Sequence, residues 1–159
     1  MKALSKTEIF KVPPDRVFAV MDDLGVTGAH MTNTSMMMMG SKLNVEYLTP
    51  FHKGPGTKYR WQGKMMGLRM DFTVEVTKWI EGVEKVWETI GESRLIIYSG
   101  FQMTLKVYPE AMGAKAELSI SYGKPTSFVQ KILCFLLADW YCNWCLRKML
   151  NDARKVLQE

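Results

Sequence analysis

From Leu43 to Tyr122 apolar and polar residues alternate with a period of two, the pattern of strands with one dry and one wet face. Leu43, Val45 and Tyr47 share one strand face, and a turn-rich break follows from Thr49 to Gly56. Tyr59 and Trp61 alternate with Arg60 and Gln62, and Gly63 to Gly67 reads as a hairpin connection. The cleanest strand sets Leu68, Met70, Phe72, Val74 and Val76 against Arg69, Asp71, Thr73, Glu75 and Thr77. Glu81-Gly82 turns the chain into a strand from Val83 to Ile90 that contains Trp87, and Gly91-Glu92-Ser93 turns it again. Phe101, Met103, Leu105 and Val107 mark the next strand. Pro109 to Gly113 closes a hairpin onto Ala114, Ala116, Leu118, Ile120 and Tyr122.

Before this run, Leu4 to Val12 suits a first strand. Pro13-Pro14-Asp15 then opens a helix, because proline tolerates the first turn and an acid there complements the helix dipole. Val17, Phe18, Val20, Met21 and Leu24 give its apolar face, and Gly25 and Gly28 punctuate its end. A second short helix or irregular segment covers about Val26 to His30.

The period changes to 3.6 at the end. Phe128 to about Gln158 reads as one long helix, capped by Thr126 or Ser127. Leu146, Met149, Leu150, Ala153, Val156 and Leu157 form one stripe, which carried backwards takes in Phe135, Ile132 and Phe128 and is expected to face the core. Val129, Leu133, Leu136, Trp140 and Trp144 form a second seam, rotated from the first. A helix lying on a sheet buries one stripe, so this seam needs a cover of its own: a flap of the chain, a second copy as a homodimer, a ligand, or peripheral membrane contact.

Together these elements predict a single α+β domain over 1–159. About seven antiparallel strands form a curved sheet around the terminal helix, with two short helices after the first strand. One helix cannot fill the concavity of such a sheet, and the space left over is a ligand pocket. By phase, Tyr59, Trp61, Met70, Phe72, Val74, Trp87, Phe101, Met103, Leu118, Ile120 and Tyr122 point inward, with Phe135 facing them from the helix. Met36 and Met38, in the run Met36 to Met39, suit a deformable wall, and the Tyr98 hydroxyl is a further polar candidate.

The Val12-Pro13-Pro14-Asp15-Arg16-Val17-Phe18 entry, the Gly54-Pro55-Gly56-Thr57-Lys58-Tyr59 stretch and the order of elements resemble the helix-grip superfamily, the START-like, SRPBCC, polyketide cyclase/dehydrase and lipid-transport group. The resemblance implies a β-α-α-β6-α order and a deep hydrophobic cavity between sheet and last helix. It also implies binding of lipids, sterols, polyketides, quinones or plant hormones, and in some branches enzymatic activity. No branch-specific catalytic motif is present in this sequence.

Composition and charge narrow the chemistry. The net charge of +5 is spread along the chain without a basic stripe, which argues against a nucleic-acid partner. The N-terminal residues show no secretory pattern, so a cytoplasmic location is expected. Cys134, Cys142 and Cys145 are read as free, packed thiols, since a Cys-x-x-Cys pair inside a helix lacks the dipole that activates redox pairs. Neither His30 nor His52 sits in a ligand cluster, so no metal and no cofactor is expected. His30 is the one candidate for a catalytic base, by residue type. The favoured reading is a non-catalytic carrier of a small hydrophobic ligand. The alternatives are a cyclase/dehydratase-like enzyme and an interaction module that uses the second helical seam.

Overall fold

The computed structural model describes residues 2–27, 42–65, 68–94, 100–123 and 128–158, with the backbone alone at 2, 42, 65, 68, 92–94, 129–130, 133–138 and 158. The alternating segments become β1 (Lys2–Phe10), β2 (Lys42–Tyr47), β3 (Lys58–Met65), β4 (Leu68–Ile80), β5 (Glu84–Arg94), β6 (Phe101–Glu110) and β7 (Gly113–Tyr122). The helices are α1 (Pro14–Asp22), α2 (Leu24–Thr27) and α3 (Phe128–Gln158). The strands form one antiparallel sheet in the order β1-β7-β6-β5-β4-β3-β2, curved around α3. Its register lines up the apolar positions. Trp61 lies opposite Phe72, and Met103 lies opposite Trp87 on one side and Ile120 on the other.

Three local expectations change. Gly63 to Met65 continue β3 instead of turning, because they pair with Met70 to Leu68. Val83 belongs to the turn before β5. Gly91-Glu92-Ser93 does not end a strand: Ile90 pairs with Thr73 and Arg94 with Asp71, so the extra residues form a bulge inside β5, where Gly91 takes a φ of 66°. A second irregularity, between Val76 and Lys78 of β4, changes which residues face inward. Val76 is buried, yet three residues later Trp79 packs against the core while Ile80 is exposed.

At Gly113 two strands approach closely. A Cβ built there would lie 1.9 Å from the Phe10 carbonyl oxygen, in the strand that β7 pairs with. Gly113→Ala is therefore expected to push β1 outward and lower stability by about 1–3 kcal/mol, read from the urea midpoint. An unchanged midpoint would show that β1 yields freely.

Pro14 stands in the first turn of α1 with Asp15 beside it, and Val17, Phe18, Met21 and Asp22 are buried. Asp22 continues the spacing of the apolar face. On α3, Tyr141, Cys142, Leu146, Met149, Leu150, Ala153 and Leu157 are buried, and the helix packs against β1, β7, α1 and α2. The expected core stripe is too long at its start, where Phe128 and Ile132 are exposed, and near its end Val156 is exposed at the edge although Leu157 beyond it is buried. Helical period places a residue on a stripe, but burial needs a neighbouring element at the same height. Of the second seam, Trp144 packs on the core and against Tyr141, and Trp140 is exposed. The side chains of Val129, Leu133 and Leu136 lie outside the description, as does the Thr126 or Ser127 cap.

Candidate functional site

The inner sheet face and the helices border a partly open cavity of about 70 Å³. Tyr59 and Trp61 line it from β3, Met70, Phe72 and Val74 from β4, and Lys85 and Trp87 from β5. Phe101 and Met103 of β6 and Ile120 of β7 complete the sheet side. Leu24 and Thr27 of α2 and Tyr141, Cys145, Leu146 and Met149 of α3 close it. The aromatic rings run as a belt across four strands: Tyr47 to Tyr59 at 6.0 Å, Tyr59 to Trp61 at 6.5 Å, Trp61 to Phe72 at 6.5 Å and Phe72 to Phe101 at 5.8 Å. Edge and offset contacts of this kind add to simple burial and stiffen the wall.

The strand phase thus brings Tyr59, Trp61, Met70, Phe72, Val74, Trp87, Phe101, Met103 and Ile120 to one space. Leu118 and Tyr122 are buried but lie outside its lining, although Ile120 between them on β7 belongs to it. The Tyr122 hydroxyl donates instead to Asp139 of α3. His30, Met36, Met38 and Tyr98 fall outside the described residues, as does the side chain of Phe135.

Sequence reasoning missed the charged wall. Lys85 Nζ lies 2.8 Å from Asp22 Oδ1, with side-chain exposures of only 10% and 4%. Trp79 Nε1 donates to the other carboxylate oxygen at 3.1 Å, and the Lys85 ammonium sits 5.0 Å from the Trp87 ring centroid. A carboxylate with both oxygens engaged, facing an ammonium over an aromatic face, is how buried charge is tolerated. The signals were present. Lys85 shares strand parity with Trp87, and Asp22 follows Phe18 by one helical turn. Trp79 had no such signal, since only the β4 irregularity turns it inward.

Burial holds the Tyr59 proton on its oxygen, pushing the phenol well above its usual range, and the nearby Tyr47 and Asp22 push the same way. Burial likewise raises the Cys145 thiol, with Cys142 adding to the shift and Tyr141 opposing it, so Cys145 stays an un-ionised thiol. For Tyr59 the linkage has one sign. Below about pH 10 the phenol is protonated in both folded and unfolded chains; above it only the unfolded chain releases the proton, so stability falls as pH rises. Alkaline unfolding is expected to begin there. Before unfolding, the tyrosinate absorbance of Tyr59→Phe protein should superimpose on that of the parent. A smaller rise in the variant would show that Tyr59 ionises while folded.

Among the described residues no three of His, Cys, Asp and Glu come together as a metal site, and no helix is long and apolar enough to cross a membrane. No family model matches the chain, and no curated protein sequence does. Solved structures do match over nearly the whole length. Protein TTHA0849 from Thermus thermophilus is 16% identical, with 99% of this chain and 97% of that one covered at a TM-score of 0.72. The Zhui aromatase/cyclase from a Streptomyces species is 12% identical, with 97% and 94% covered at 0.68.

The fold is the helix-grip fold. Another helix-grip match, Ara h 8.0201, is 12% identical with 96% and 97% covered at 0.62. At such identities the likeness is one of fold, and the chemistry of the helix-grip cavity in this chain has to be read from its own residues.

Proposed function

We propose that the protein binds and carries a small hydrophobic molecule, lipid-like or polyketide-like, between sheet and C-terminal helix. The observation that carries this is the lined space itself: an aromatic and aliphatic cavity facing α3, with few polar groups, the usual make-up of a site that binds by burial. Native mass spectrometry after gentle purification is expected to find a co-purifying apolar molecule. Ile120→Trp, which fills the space from β7, should exclude it. Retention of the same molecule by the filled variant would place its binding elsewhere and end this reading.

A second reading, a cyclase/dehydrase-type enzyme, draws on Tyr59. A buried phenol that holds its proton at neutral pH can donate to a carbonyl oxygen as it gains charge. Turnover of a linear polyketone into a ring, abolished in Tyr59→Phe, would favour this reading over carriage; binding without turnover would favour the carrier.

A further inference from the structure

The cavity contains three hydroxyl-bearing side chains, and they differ in one respect. Thr27 Oγ1 donates to the Asp23 carbonyl at 3.2 Å, and Tyr141 is a hydrogen-bond partner of Cys145. The Tyr59 hydroxyl meets no hydrogen-bond partner among the described residues, although the residue is only 4% exposed. A buried donor without an acceptor is uncommon and costly, and a polar atom of a ligand is one way to satisfy it.

We propose that Tyr59 is the recognition group of the cavity and donates a hydrogen bond to a neutral oxygen, a ketone or a hydroxyl, on an otherwise apolar ligand. This deepens the carrier reading and rests on it. The charges nearby set the class. Lys85 is already matched by Asp22, so among the described residues the cavity wall offers no uncompensated cation to a carboxylate. The Asp22 charge reaches Tyr59 and opposes negative charge at its hydroxyl. A carboxylate there would be buried without a counter-charge, whereas a neutral acceptor takes the hydrogen bond without that penalty.

The test uses three probes of matched shape: 2-acetylnaphthalene, 2-ethylnaphthalene and 2-naphthoate, read by quenching of tryptophan fluorescence. The ketone is expected to bind more tightly than the hydrocarbon after correction for their transfer from water, and the carboxylate most weakly. In Tyr59→Phe the ketone-to-hydrocarbon preference should fall about tenfold. The melting temperature of the ligand-free variant should not fall, because the hydroxyl removed had no partner. A preference unchanged in Tyr59→Phe overturns the proposal, as does tighter binding of naphthoate than of the ketone. A melting temperature lowered by several degrees would reveal a structural partner for the hydroxyl and also overturn it. Failure of both ketone and hydrocarbon to bind is a different result, and it removes the carrier reading together with the anchor.

Discussion

Asp22→Ala is expected to lower stability by about 3–5 kcal/mol, the usual consequence of leaving one member of a buried ion pair without the other. In a chain of this size that is roughly 10 °C in melting temperature. The variant strands the Lys85 ammonium, 10% exposed, and the Trp79 indole N–H together. Asp22→Leu combined with Lys85→Met should recover most of the loss. The remaining deficit is the unsatisfied indole, about 1–3 kcal/mol. Thermal melts of the two single variants and the double variant decide the matter, and a double-variant loss equal to the sum of the two single losses would show that the residues are not coupled. The pair also governs what the cavity accepts. With Asp22 replaced, Lys85 becomes an uncompensated cation, and 2-naphthoate should raise the melting temperature of Asp22→Ala protein more than that of the parent.

Phe72→Ala is expected to cost a similar amount, about 3–5 kcal/mol, through lost burial and the void left behind. Phe72 is 2% exposed, stacks on Trp61 and meets Phe101 edge-on, so it joins the β3 and β6 parts of the aromatic belt. The void would open into the existing cavity instead of closing off as a sealed hole. An apolar molecule can then enter and restore part of the stability. At a hundredfold excess over its Kd a ligand contributes about 2.7 kcal/mol. Melting temperatures with and without 2-ethylnaphthalene should therefore diverge more in the variant than in the parent. A full loss with no rescue would mean that the space beside Phe72 is closed to ligands.

Alternation from Leu43 to Tyr122 and the helical period after Phe128 were enough to order the elements. A period of two or of 3.6 is a local property, written residue by residue. The same periodicity put most of the cavity's sheet-side residues on one face, because parity survives wherever the ladder is regular. It failed where the ladder is irregular. The extra residues at Gly91 kept β5 running, and the shift after Val76 turned Trp79 toward Asp22.

By itself, then, the sequence determined the order of strands and helices and, wherever the ladder is regular, which side of each is greasy. Tertiary structure alone decided three further matters: where along α3 the stripe is covered, since burial requires a neighbour; which inward residues meet empty space and which, like Leu118, meet other atoms; and that an aspartate on a helix and a lysine on a distant strand become one buried pair. Each depends on contacts between segments far apart in the chain, and no local pattern encodes those distances.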